Sequence, residues 1–193
     1  MDIGIFGGTF NPIHNGHLAA ANAAVDKIPL DRVYMVPSSK PPHKTEKKLI
    51  PFSHRYKMVE MAVAGYPHLY TSDLDSTKDN SYTKNLIQRF RQNFPDDQLF
   101  LIIGADNIPE LTTWYDYKWI LNNINIVAIN RKVDVDRKKE EYIDKIAYVT
   151  IPPVEISSSL VRERIIAGED VSDLVPPEVC RYIENHELHR YVE

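Results

Sequence analysis

At 193 residues the chain has room for one well-buried domain and is short for two. Its 43% hydrophobic and 26% charged residues are those of an ordinary globular protein, and a net charge of −4 argues against a bulk nucleic-acid or membrane surface. The single Cys180 excludes an internal disulfide and a cysteine-built metal site. Any anion site must therefore be a local basic cluster. No signal-peptide pattern stands at Met1-Asp2-Ile3-Gly4, and no apolar run approaches about 18 residues, so a cytoplasmic location without membrane or nucleic-acid partners is expected.

In chain order, Ile3-Gly4-Ile5-Phe6 reads as a buried strand, and the alanine-rich run Leu18 to Val25 as a helix. Arg32 to Val36 is a second strand, closed by Pro37 and followed by the polar, proline-stiffened loop Ser38 to Thr45. Ser53 is the expected cap of a helix reaching about Ala64, which Gly65 and Pro67 end. Leu69-Tyr70-Thr71 makes a third strand, and Ser72 to Asn80 reads as an exposed, charged connection. Ser81-Tyr82-Thr83 opens a helix through about Asn93. Gln98 to Ile103 is the clearest buried strand, with Gly104-Ala105-Asp106 at its carboxyl end.

A Trp-rich segment from Trp114 to Trp119 precedes a fifth strand, Ile124 to Ile129. Asp134 to Glu141 is charged and reads as a solvated loop or helix. Ala147 to Ile151 is a sixth strand, Ser157-Ser158-Ser159 opens a helix, and Pro176-Pro177 starts the last one, ending near Glu187. Strands with continuous apolar runs, alternating with helices, predict an α/β fold: a Rossmann-like, doubly wound parallel sheet. One domain over 1–193 is expected, ending in a small helical extension over about 157–193. Ligands of such sheets bind beyond the carboxyl ends of the strands, where the strand order reverses.

The stretch between the first strand and helix, Gly7-Gly8-Thr9-Phe10-Asn11-Pro12-Ile13-His14-Asn15-Gly16-His17, carries the most chemistry. A helix N-terminus favours anions, and acidic side chains usually answer it. No acid occurs from Ile3 through Val25, and His14 and His17 stand there instead, three residues apart and able to share a face. Gly7, Gly8 and Gly16 remove side chains where a phosphate could come close. The alternative is an ordinary turn whose glycines relieve strain and whose histidines are surface or cap residues. The dinucleotide fingerprint does not fit, since it needs G-x-G-x-x-G and an acid about 20 residues on.

A second candidate is Glu155 to Arg164. If Ser159 caps this helix, Arg162 takes the third helical position, a cation at the positive end, which costs roughly 0.3–1 kcal/mol that a bound phosphate would reverse. The alternative there is a normally capped helix with Arg162 directed outward.

The stretch Gly7 to His17 resembles the (T/H)-x-G-H signature of the nucleotidyltransferase superfamily, and more narrowly bacterial nicotinate-nucleotide adenylyltransferase. Ile156-Ser157-Ser158-Ser159 with Val161-Arg162 is similar to the family's I-S-S-T-x-(I/V)-R motif, with Ser159 in place of Thr. Pro41-Pro42-His43-Lys44 resembles its P-P-H-K loop, Ser81-Tyr82-Thr83 its S-Y-T helix start, and Gly104-Ala105-Asp106 with Trp114-Tyr115 its G-A-D and W-Y pairs. The likeness runs from Ile3 to about Tyr182. It departs at Asp75 to Asn80, which lacks the family's Gly or Pro before S-Y-T and its Arg.

The resemblance implies transfer of AMP from ATP to nicotinate mononucleotide, giving deamido-NAD and pyrophosphate in NAD biosynthesis. It implies His14, His17 and Arg162 as catalytic residues. Gly7, Gly8, Thr9, Phe10, Asn11, Gly16, Lys44, Gly104, Asp106, Ser157 and Ser158 would bind ATP. Lys44, Tyr82, Thr83, Asp106, Trp114 and Tyr115 would bind the pyridine nucleotide, the amides of Tyr82 and Thr83 meeting its carboxylate and Trp114 stacking on the ring. Mg²⁺ would arrive with ATP, bridging phosphates mainly through water, with no dedicated protein ligands. Zinc held by His14 and His17 lacks a third spaced ligand. Rival readings are an adenylyltransferase for nicotinamide mononucleotide or phosphopantetheine, or a non-catalytic nucleotide-binding module. Oligomeric state, homo-oligomers included, stays open at this level.

Overall fold

Six apolar runs become six parallel strands, in a sheet that helices cover on both faces. The structure is a computed structural model that describes residues 1–41, 49–77, 79–130 and 145–191. Its strands are β1 (Asp2–Gly8), β2 (Arg32–Pro37), β3 (Leu69–Thr71), β4 (Gln98–Gly104), β5 (Asn125–Asn130) and β6 (Ile146–Thr150). They form one sheet in the order β3-β2-β1-β4-β5-β6, every pair parallel. This is the doubly wound, Rossmann-like α/β arrangement expected from the strand and helix alternation. The predicted Asp134 to Glu141 segment lies outside the described residues.

The helices are α1 (Asn15–Lys27), α2 (Phe52–Val63), α3 (Thr83–Asn93), α4 (Tyr117–Asn123), α5 (Ser158–Ala167) and α6 (Pro177–Asn185). One core gathers Ala20, Ala21 and Ala24 of α1, Met58, Val59 and Ala62 of α2, Val161 of α5 and Val179 and Ile183 of α6 against Val33, Met35, Ile102 and Val127. The other gathers Leu86, Ile87 and Phe90 of α3 and Ile120 of α4, with Ile108 and Leu111, against Ile3, Ile5, Leu101 and Ile126. Residues alternate between the two cores along each strand, so both faces are apolar and no polar stripe appears in the sequence. Among the described residues no helix is long and apolar enough to cross a membrane.

The register positions the site. β1 stays with β2 as far as Gly8 opposite Pro37, and β4 stays with β5 to Gly104 opposite Ile129. Between β1 and β4 the pairing ends at Ile5 opposite Leu101. The two central strands therefore separate over their last residues, at the point where the strand order reverses, and a crevice opens between them.

Local details differ from the expected ones. α2 starts at Phe52 after Pro51, whose fixed φ suits a helix start, and Ser53 is an exposed residue of its first turn instead of the cap. Ser72 to Asn80 is not uniformly exposed, since Ser72 and Asp75 are buried. The Trp-rich segment, Trp114 to Trp119, follows a 3₁₀ stretch, Ala105–Thr113, and runs into the short α4. The last helix stops at Asn185, and a 3₁₀ turn, Leu188–Tyr191, follows Glu187 at φ 50°.

Helix α6 is fastened to α2 by aromatic and imidazole rings. His54 Nδ1 is 3.0 Å from the Tyr182 hydroxyl, and the rings of His186 and Tyr182 stack at 4.0 Å. The His54 and His186 rings meet edge to face at 5.5 Å. Burial first, then the facing His186 and Arg190, hold the His54 pKa below its ordinary 6.5. His54 thus binds its proton less readily in the folded chain than in the unfolded one. The stability of this junction is intact above about pH 6.5 and is lost as the pH falls below it. The thermal midpoint should drop less steeply for His54→Gln than for wild type between about pH 7 and 5; parallel slopes would remove His54 as the cause.

Candidate active site

The turn from β1 into α1 is held from two distant parts of the chain. Arg55 of α2 is 0% exposed and all three of its nitrogens donate to carbonyls: Nε to Ile50 at 2.8 Å, Nη1 to Thr9 at 2.6 Å, Nη2 to Ser39 at 3.5 Å. Arg162 of α5 donates to the Asn11 carbonyl at 2.9 Å, and the Ser158 hydroxyl donates to that of Pro12 at 3.0 Å. The buried Asn11 side chain accepts the Ile50 N–H at 2.9 Å. Phe10 sits at φ 46°, a conformation that costs a non-glycine residue about 1–2 kcal/mol and that the surrounding contacts must over-determine. Its ring, 2% exposed, packs edge to face on Phe6 and on His17.

His14 ends the turn as the N-cap of α1, at φ −147° and ψ 168°, and His17 is the third helical residue. Their rings stack with centroids 3.6 Å apart. The His14 backbone N–H donates to His17 Nδ1 at 3.3 Å, so a neutral His17 carries its proton on Nε2. His17 lines the cavity, whereas His14, 1% exposed, lies behind it.

The crevice between β1 and β4 holds a cavity of about 380 Å³. Phe6, Gly7 and Gly8 line it from β1, and Ile103 and Gly104 from β4. Thr9, Phe10 and His17 form one wall, Tyr82 and Thr83 of α3 the opposite one, with Asp106, Asn107 and Trp114 beside them. The first turn of α3 contains no acid, and its N-cap, Tyr82, makes no side-chain cap. The helix start therefore sets no acid of its own against its amide dipoles. Two helix N-termini, α1 and α3, face one cavity from opposite sides.

Residues 5–164 match the model of the cytidylyltransferase-like family. The chain belongs to that family. A Carboxydothermus hydrogenoformans protein named "Probable nicotinate-nucleotide adenylyltransferase" is 38% identical over 97% of this chain and 98% of its own. The Bacillus subtilis protein named nicotinate-nucleotide adenylyltransferase is 34% identical over 97% of each chain. Nicotinic acid mononucleotide adenylyltransferase of Plasmodium falciparum, solved with NaAD, superposes with a TM-score of 0.82 over 98% of both chains at 21% identity, so it shares the fold.

Within this cytidylyltransferase-like fold the residues singled out in the sequence fall into layers. Gly7, Gly8, Thr9, Phe10, His17, Tyr82, Thr83, Gly104, Asp106 and Trp114 line the cavity. Tyr115 is on the rim, 54% exposed, its ring 5.0 Å from that of Tyr82. Asn11, His14, Ser158 and Arg162 lie behind the turn and brace it. Lys44, with Pro42 and His43, lies outside the described residues.

Two expected physical reasons change. Ser157, not Ser159, caps α5, its hydroxyl accepting the Leu160 N–H at 3.1 Å. Arg162 is then in the second turn, reaching back to the Asn11 carbonyl and the Ser159 hydroxyl, so the helix-dipole mismatch expected of it does not arise. The glycines also act differently. A Cβ on Gly8 would come within 2.9 Å of the Phe10 ring, and one on Gly16 within 3.1 Å of the His14 ring. They make room for protein side chains that shape the site. A Cβ on Gly104 would collide with the Asp106 carboxylate.

Arg55 and Asp75 were not singled out in the sequence. The signal for Arg55 was present: it lies four and seven residues before Val59 and Ala62, on the buried stripe of α2. Asp75 had none, being one acid in a charged stretch. It is 2% exposed, lines the cavity and pairs with Arg89 at 3.0 Å. Its pKa is raised, burial outweighing the opposing pull of Ser81 and Arg89.

Burial lowers the Arg55 pKa to about 10, the Asp75 charge only partly opposing it. Arg55 remains a cation at neutral pH, placed behind the turn. Lysine keeps that charge but cannot span three carbonyls with one ammonium. Arg55→Lys should lower unfolding stability by about 2 kcal/mol in urea titration, as buried carbonyls lose their donors. A loss below about 0.5 kcal/mol would show that the fork is dispensable.

Proposed function

We propose that the chain transfers AMP from ATP to nicotinate mononucleotide, giving deamido-NAD and pyrophosphate, as a cytoplasmic enzyme of NAD biosynthesis. The observation that carries this reading is the pairing of opposite walls in one switch-point cavity. On one wall stands the His17 donor at a helix start free of acids, suited to a polyphosphate. On the other stands an acid-free start of α3 beside Trp114, suited to a flat ring bearing a carboxylate. The names and the near full-length match of the relatives support it.

In the reaction, a phosphate oxygen of the mononucleotide attacks the α-phosphorus of ATP. The bond from that phosphorus to the bridging oxygen breaks, and pyrophosphate leaves. Such a transfer needs in-line placement and stabilisation of negative charge, with no protein nucleophile. His17 donates from Nε2 to the α-phosphate or the leaving oxygen, and His14 stacks behind it, fixing the ring. Arg162 and Arg55 hold the turn and add positive charge near the triphosphate, and Lys44 completes its grip on the β- and γ-phosphates. The carbonyl-bound guanidinium of Arg162 has its pKa lowered by burial, with Glu163 opposing. Asp106 accepts from a ribose hydroxyl, and the Tyr82 and Thr83 amides meet the pyridine carboxylate.

Among the described residues no three His, Cys, Asp or Glu side chains cluster as metal ligands, and the Asp75 carboxylate is held by Arg89. A Mg²⁺ ion would then be carried by the phosphates and water, with Asp106 a carboxylate on the same cavity wall. When bound, such an ion neutralises phosphate charge.

Replacing the donor should lower kcat by about 10²–10³-fold in His17→Ala, the usual scale for a lost transition-state hydrogen bond. Activity within tenfold of wild type would remove His17 from the mechanism. With ATP, Mg²⁺ and each acceptor in parallel, kcat/KM should favour nicotinate mononucleotide over nicotinamide mononucleotide and phosphopantetheine. Equal use of the amide would undo the role given to the start of α3.

A further inference from the structure

Lys84 occupies the second helical position of α3, the end of a helix where a cation is disfavoured by the dipole. Its surroundings explain its presence. Nζ donates to Asp116 Oδ2 at 2.6 Å, across 32 residues of sequence, and lies 5.5 Å from the ring centres of both Tyr115 and Trp119. Lys84 is only 19% exposed there. Asp116 is itself held at φ 53° and ψ 46°, immediately after Trp114-Tyr115 and at the start of α4. Tyr115 in turn rests on Tyr82.

The segment that carries Trp114 has little stiffness of its own. Trp114 to Asp116 lie between a nine-residue 3₁₀ stretch that contains Pro109 and a seven-residue helix. Structures of these kinds are poorly self-supporting and take their shape from what they pack on. The one ion pair that ties this segment to α3 among the described residues is Lys84 with Asp116. It joins the stretch bearing Trp114 to the helix start bearing Tyr82 and Thr83.

We infer that the Lys84–Asp116 pair is a clasp that sets the distance between these two parts of the wall, making Lys84 a positioning residue for the pyridine nucleotide. This rests on the adenylyl transfer proposed above and specifies one subsite of it. The charge of Lys84 is engaged by Asp116, so the clasp shapes the slot for the ring and does not read the carboxylate. A pair whose carboxylate partner is open to solvent contributes little to global stability, and its effect is on substrate placement.

Steady-state kinetics of Lys84→Met, Asp116→Asn and the double variant test it, with nicotinate mononucleotide varied at saturating ATP and the converse. Each single variant should raise KM for the mononucleotide about three- to tenfold, with kcat and the KM for ATP within about twofold of wild type. The double variant should do no worse than the poorer single one, because one interaction is removed once. Lys84→Arg, which keeps the pair, should stay near wild type. The inhibition constant of nicotinamide mononucleotide should rise in parallel with the KM. An unmoved KM overturns the clasp, as does an equal rise for ATP. A rise confined to the acid, sparing the amide, overturns it too, since Lys84 would then be reading charge. Wild-type turnover matched by Lys84→Met removes the clasp alone, whereas absent wild-type turnover removes the adenylyl-transfer assignment and the clasp with it.

Discussion

The turn between β1 and α1 is the constraint on which the site depends, and it is held by cations on its carbonyl oxygens. Thr9 is fixed by Arg55 and Asn11 by Arg162, with the Ser158 hydroxyl on Pro12. Burying Arg55 completely is expensive unless its donors are satisfied, and here carbonyl dipoles satisfy them in place of a carboxylate. The positive charge is therefore spread over neutral acceptors and not cancelled by a paired anion. A polyphosphate settling in front of the turn would meet that charge from behind. The same bonds hold Phe10 in its left-handed conformation, so the strain and the electrostatics of the turn have one source.

The sheet provides the space in which this turn can work. Helices α1 and α2 cover one face and α3 and α4 the other, so the crossovers on the two sides of the β1–β4 pair diverge. With pairing between those strands ended at Ile5 and Leu101, their last residues bound a crevice. Opposite walls are then supplied by different crossovers: His17 by the first helix, Tyr82 and Thr83 by the third, Trp114 by the segment after β4. A reaction that joins two nucleotides end to end suits such a crevice, since each wall can be shaped for one partner.

The two histidines divide their labour through the cap geometry. His14 is in extended backbone and His17 in the helix, which brings the rings into a stack with one in front and one behind. The His14 backbone N–H donates to His17 Nδ1 and so orients that imidazole. Gly16 leaves the room that the His14 ring occupies. Spacing, cap and glycine thus serve one end, a fixed imidazole at a helix N-terminus.

The sequence by itself determined the strands, the helices and the doubly wound class, because two-sided burial writes continuous apolar runs and amphipathic helices directly into local composition. It also pointed to many residues at the cavity, since the carboxyl ends of parallel strands are where the chain turns, and Gly7 to His17, Ser81 to Thr83 and Gly104 to Asp106 stand at such turns. The tertiary structure alone decided what lies behind that surface. Arg55 shows on its helical face that it should be buried, but its carbonyl partners come from two loops and cannot be read from α2. Asp75 is buried by Arg89 of a later helix, against the expectation for a charged connection. Ser157 wins the cap of α5 over Ser159 because Ser158 and Arg162 must reach Pro12 and Asn11, nearly 150 residues away in sequence. The division has one physical reason: periodicity reports which face of an element is buried, while hydrogen bonds between distant segments depend on a register that only packing creates.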